Sequence, residues 1–123
     1  MSIQESQKQH REAMRMMDQA LLAKMRGDAR NHLKLLERAY ALEATAASMI
    51  AGRMQLEPSR SVLLRSAASL ALQCGKIREA EKLIAIALSG DPPEEIANEL
   101  RDLLEEVFLE RHLELKEIAL GEE

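Results

Sequence analysis

Any chemistry in this chain would have to come from three histidines, one cysteine and many carboxylates, and their spacing does not assemble them. His10, His32 and His112 fall in separate stretches, and none has a glutamate three residues ahead of it. The Glu-x-x-His pairs with which helical bundles hold metal are therefore missing. No His-Glu-x-x-His, no paired cysteines, no phosphate-cradling glycine loop and no Gly-x-Ser-x-Gly occurs either. Cys74, just ahead of Gly75, reads as a small buried hydrophobe with no reactive role. The expectation is no catalytic residue, no metal and no cofactor. An enzyme or small-molecule sensor, its site assembled only in three dimensions, is the least favoured class. Met14, Met16, Met17 and Met25 carry a different signature. Flexible thioethers either fill irregular gaps between helices or form an adaptable surface for partner helices, and the residues leave both readings open.

The elements that position these residues must be helices. Hydrophobic residues make up 46% of the 123, dominated by Ala, Leu and Met, with one Phe, one Tyr, no Trp, 5 Gly and 3 Pro. That is an all-α profile. Strands favour β-branched and aromatic side chains, and Val62 and Val107 are the only valines. The length suits one domain able to bury about two thirds of its unfolded surface.

A single cysteine forms no internal disulfide, and the opening MSIQESQKQHREAM is polar where a secretory signal needs an apolar core, so the expected location is cytoplasmic. No apolar run approaches the ~20 residues needed to span a bilayer, and no membrane role is expected. Charge is uneven. Residues 1–60 hold ten Lys+Arg against seven Asp+Glu, a formal +3, and residues 61–123 hold seven against fourteen, a formal −7. So small a basic excess, with aromatics nearly absent, argues against nucleic acid as a partner.

Apolar periodicity predicts five helices. The first, about Gln4 to Arg26, repeats Ala13, Met16, Met17, Ala20, Leu21 and Met25; Gly27 ends it and Asp28 caps the next. The second runs from Ala29 to about Gly52, with Leu35, Leu36, Ala39, Tyr40, Leu42, Ala46, Met49 and Ile50. Pro58 suits the first turn of a third helix, which reaches Cys74 and sets Leu64, Ala67, Ala68 and Ala71 on one small-residue face. After Gly75 a fourth carries Ile77, Ala80, Leu83, Ile84, Ala87 and Leu88. Asp91 with Glu94 has capping spacing, and Pro92 and Pro93 open a fifth helix. Its stripe is Ile96, Leu100, Leu103, Leu104, Val107 and Phe108, weakening through Leu115 and Ile118 toward Gly121.

The window 61–94 joins the small face of Leu64, Ala67, Ala68 and Ala71 to Gly75, Ile77, Ala80, Ile84, Ala87, Leu88 and a closing Asp91-Pro92. It resembles a tetratricopeptide repeat, which places small residues where its two helices cross and a proline at its end. A degenerate unit over about 13–46 carries Ala20, Ala23, Gly27 and Ala39. There His32 stands where an alanine is expected, and Gly27 and Gly75 lie 48 residues apart instead of 34. The resemblance implies a stack of α-hairpins, a short right-handed superhelix: a degenerate hairpin over 4–56, a clearer one over 58–91 and a capping helix over 92–120. The physics agrees, because a lone hairpin cannot bury its own stripe and needs a neighbour and a cap.

If the units stack as the family's do, Met14, Met17, Leu21 and Lys24 of the first helix and Val62, Arg65, Ser69 and Leu72 of the third line the concave side, the family's usual ligand surface. Members that grip a partner's terminal carboxylate do so with Lys, Arg and Asn. Here those places hold mainly Met, Leu, Val and Ser, so an apolar peptide or helix from another protein is the expected partner, oriented by Lys24 and Arg65. Leu109, Leu113 and Leu120 fall off the main stripe of the fifth helix. They either pack back over the first two helices or join two copies, which makes a homodimeric helical bundle the alternative to the interaction module.

Overall fold

The computed structural model describes residues 3–121. Five helices form: α1 (Ile3–Met25), α2 (Ala29–Ile50), α3 (Ser59–Gln73), α4 (Ile77–Leu88) and the long α5 (Glu94–Gly121), with a single 3-10 turn over Met54–Leu56. The fold is all-α, and among the described residues there is no strand.

Both tight turns rest on a glycine in the left-handed region. Gly27 has φ +77° and Gly75 has φ +75°. That conformation folds the chain back so that Asp28 N–H reaches the Ala23 carbonyl at 2.9 Å and Lys76 N–H the Ala71 carbonyl at 2.8 Å, satisfying carbonyls that a helix end leaves open. The Asp28 carboxylate caps α2 by accepting from Asn31 N–H at 3.2 Å. The prolines stand at helix starts. Pro58 has helical backbone angles at the head of α3, and its carbonyl accepts from Val62 N–H at 3.0 Å. The Glu57 carboxylate accepts from Ser61 N–H at 2.8 Å and from Ser61 Oγ–H at 2.7 Å. The first turn of α5 is held by Ala97 N–H on the Pro93 carbonyl at 2.9 Å.

The helices run alternately down and up, each packed on the next. The main core joins Ala46, Ala47 and Ile50 of α2 to Leu64, Ala67, Ala68 and Ala71 of α3, Ala80, Ile84 and Ala87 of α4, and Leu100 and Val107 of α5. Alanines dominate these seams, so the backbones approach closely and small volume changes are felt. A second, smaller cluster of Ala20, Leu36, Ala39 and Leu70, with Met16 and Met17 against it, ties α1 to α2 and α3.

The helices differ in length, and that corrects part of the stripe reading. Tyr40 of α2 lies beside Lys76, whose Nζ is 5.8 Å from the ring centroid, and Leu35 and Leu36 pack at the end of α3, so the first turn of α2 extends past the α3–α4 turn. Leu21 (56% exposed) and Met25 (75%) sit on this overhang with nothing across from them. On the other side Arg111 of α5 donates to Glu81 of α4 at 2.6 Å, and the helix continues ten residues further. Phe108, expected in the core stripe, is 55% exposed. No described helix is long and apolar enough to cross a membrane.

Candidate functional site

Ile3, Gln7, His10, Met14, Met17, Leu21 and Lys24 recur every three or four residues and so share one face of α1. At its upper end this face opens into a cavity of about 230 Å³, whose other walls are Ile50 of α2 and Pro58, Ser59, Val62 and Leu63 around the start of α3. Lower down, Met14 and Met17 are half-buried, whereas Leu21 and Lys24 are exposed. On α3, Val62 joins the cavity, and Arg65 and Ser69 turn the other way. They line a recess of about 300 Å³ with Glu99, Asp102 and Leu103 of α5, and the Arg65 guanidinium is ion-paired to Glu99. Leu72 packs against the main core. Of the eight residues expected to line one groove, Val62 thus borders the first hollow and Arg65 and Ser69 the second, while Met14, Met17, Leu21, Lys24 and Leu72 border neither.

Behind the cavity stands a polar cluster that the sequence does not signal. Glu43 of α2 is fully buried, and both its oxygens lie close to His10 Nδ1, at 2.8 and 2.9 Å. One turn earlier on α1, Ser6 Oγ–H donates to the Ala46 carbonyl at 2.9 Å. A buried carboxylate needs a partner of this kind to remain inside the protein. A carboxylate-oriented imidazole is also two-thirds of a nucleophilic triad, but the nearby Ser6 hydroxyl is committed to a backbone carbonyl. The bonds of the cluster run from helix to helix.

Arg60 is the other buried polar centre, 1% exposed. Its Nε–H donates to the Ala51 carbonyl at the end of α2, and its Nη2–H donates to the Ile86 carbonyl in the last turn of α4 at 2.9 Å. Glu57 Oε2 lies 3.7 Å from Nη1. One cation therefore faces the negative ends of two helix dipoles. A Cβ on Gly90 would run into the same guanidinium, so the α4–α5 turn closes directly over it.

His32 Nδ1 lies 2.8 Å from the Ala20 carbonyl, a polar contact between α2 and α1. Cys74 is half-buried. Burial, with the nearby Glu37 carboxylate, pushes its thiol above the usual range, which keeps the nucleophilic thiolate scarce. His112 is exposed on α5, and among the described residues no group of three His, Cys, Asp or Glu is placed to hold a metal ion.

The chain matches no family model, no curated protein and no solved structure. Its own geometry therefore has to carry the functional reading.

Leu109, Leu113 and Leu120 are exposed, and none folds back over α1 or α2. They lie on the side of α5 opposite Leu104, Leu115 and Ile118, so the free end of the helix is apolar on two sides. What sequence reasoning missed is the pairing of half-buried His10 with buried Glu43, and the separate burial of Arg60. A polar residue in register with an apolar stripe is the only available signal: Glu43 stands three and seven residues before Ala46 and Ile50.

Proposed function

We propose that this chain is a non-enzymatic protein-interaction module, a tetratricopeptide-like pair of hairpins capped by α5, that receives an apolar peptide or helix along α1 and α3. The observation that carries the reading is the uncovered face of α1, where Met14, Met17 and Leu21 lead into the cavity shared with Val62 and Leu63. Two hairpins with the same glycine turn and alanine-lined crossings support the repeat. An apolar run flanked by Lys24 suits an amphipathic segment whose polar side carries negative charge.

The test uses helical peptides selected from a random library on the wild-type protein. Binding should be lost in Met17→Glu and in Leu21→Glu, with helical content and melting unchanged for the exposed Leu21 site. Peptides that bind all three proteins equally would sink the reading. Self-association through α5 is the second reading, favoured by the exposure of Leu109, Leu113 and Leu120.

A further inference from the structure

The overhanging end of the molecule presents two surfaces that fit each other but do not meet within one chain. The α1–α2 turn, the α3–α4 turn and the end of α5 all lie at this end, and the middle turn is the shortest: Lys76 is level with Tyr40, and Gly75 and Lys76 line one hollow with Arg111 and Glu114. Two prongs therefore project beyond it. The hairpin prong, residues 19–35, carries Lys24, Arg26, Arg30 and Lys34 against Asp28, a formal +3, and exposes Leu21, Leu22, Met25 and Leu33. Across it runs a hollow of about 610 Å³ whose walls include Leu22, Ala23, Arg26 and Leu35. The α5 prong exposes Leu113, Leu115, Ile118 and Leu120. From His112 to Gly121 it sets Glu114 and Glu117 against Lys116, a formal −1.

We propose that a second copy of this chain covers these prongs, the acidic end of α5 from each copy lying on the basic hairpin end of the other. Because both surfaces sit at one end, a single two-fold rotation makes both contacts at once, residue i on j and j on i, and the assembly closes. Pairing two α5 ends directly would instead place like charges together, which costs association energy. The exchange buries leucines of both prongs and brings opposite charges together. It shares Leu21 and Lys24 with the groove reading, whose other residues on α1 and α3 lie outside the prong.

The experiment is sedimentation equilibrium of the full chain across concentration and salt. The expected result is a monomer–dimer equilibrium that weakens as salt screens the paired charges. Glu114→Lys with Glu117→Lys should weaken the dimer by about tenfold or more, and Arg26→Glu with Arg30→Glu should do the same, as for complementary charges at an interface. Arg30, Glu114 and Glu117 are exposed helix-surface positions and Arg26 is exposed in the α1–α2 turn, and circular dichroism should show folded protein. Combining the four changes should restore association toward wild type. A monomer at every concentration would overturn the exchange and leave the prongs to another partner. So would a dimer insensitive to Arg26 and Arg30, which would assign the contact to α5 alone.

Discussion

The two ends of this small bundle are built on opposite principles. At the upper end, buried polar side chains tie helices together: Ser6 and His10 join α1 to α2, Glu57 holds the first turn of α3, and Arg60 holds the last turns of α2 and α4. At the lower end the helices simply outrun one another and leave leucines in water. Buried polar groups fix a geometry through the bonds they make, and an orphaned one is expensive; Arg60 Nη1 makes no hydrogen bond and has Glu57 Oε2 3.7 Å away. Exposed leucines cost little in the monomer and are available for assembly. The contrast separates an end that sets shape from an end that offers surface.

Substitutions can break this contrast, beginning with the largest effect. Arg60→Ala removes the cation shared by two helix ends and by Glu57, and should lower unfolding free energy by about 3 to 5 kcal/mol in urea titrations. His10→Ala leaves the Glu43 carboxylate buried without its imidazole and should cost about 1 to 3 kcal/mol by the same measurement. Gly75→Ala has open space for the methyl group, so only the left-handed backbone opposes it, at about 1 kcal/mol. Cys74 sharpens the picture through kinetics. Its raised thiol pKa means less thiolate at pH 8, and alkylation by iodoacetamide should run slower in the native protein than in the unfolded chain. Leu115→Glu, on the free prong, should change monomer stability by less than about 0.5 kcal/mol while abolishing self-association. A large loss of stability there would mean that the lower end is structural after all.

Much of the fold is legible residue by residue. Gly27 and Gly75 mark both turns because little else adopts a positive φ without strain, and Ala67, Ala68 and Ala71 mark the close crossing because helix periodicity shows which residues share a face. Periodicity also overreaches. Met25 keeps the helical spacing of buried residues, but burial depends on how far the neighbouring helix extends, and α3, at 15 residues, stops short of α1. Phe108 is level with α4 but stands about 100° round the helix from buried Val107. The candidate site was legible only on α1, where the apolar run of Met14, Met17 and Leu21 is local. The turn of Arg65 toward Glu99 and the meeting of His10 with Glu43, 33 residues apart, depend on tertiary packing and leave no mark in spacing.

The length of α5 has a mechanical corollary. At about 1.5 Å per residue its 28 residues make a rod of about 42 Å, held near its root by the pairing of Glu99 with Arg65 and at mid-length by Glu81 on Arg111. A tilt of about 5° at the root swings the free tip by about 4 Å. Whatever grasps that tip holds the long arm of a lever whose short arm bears on the hollow beside α3.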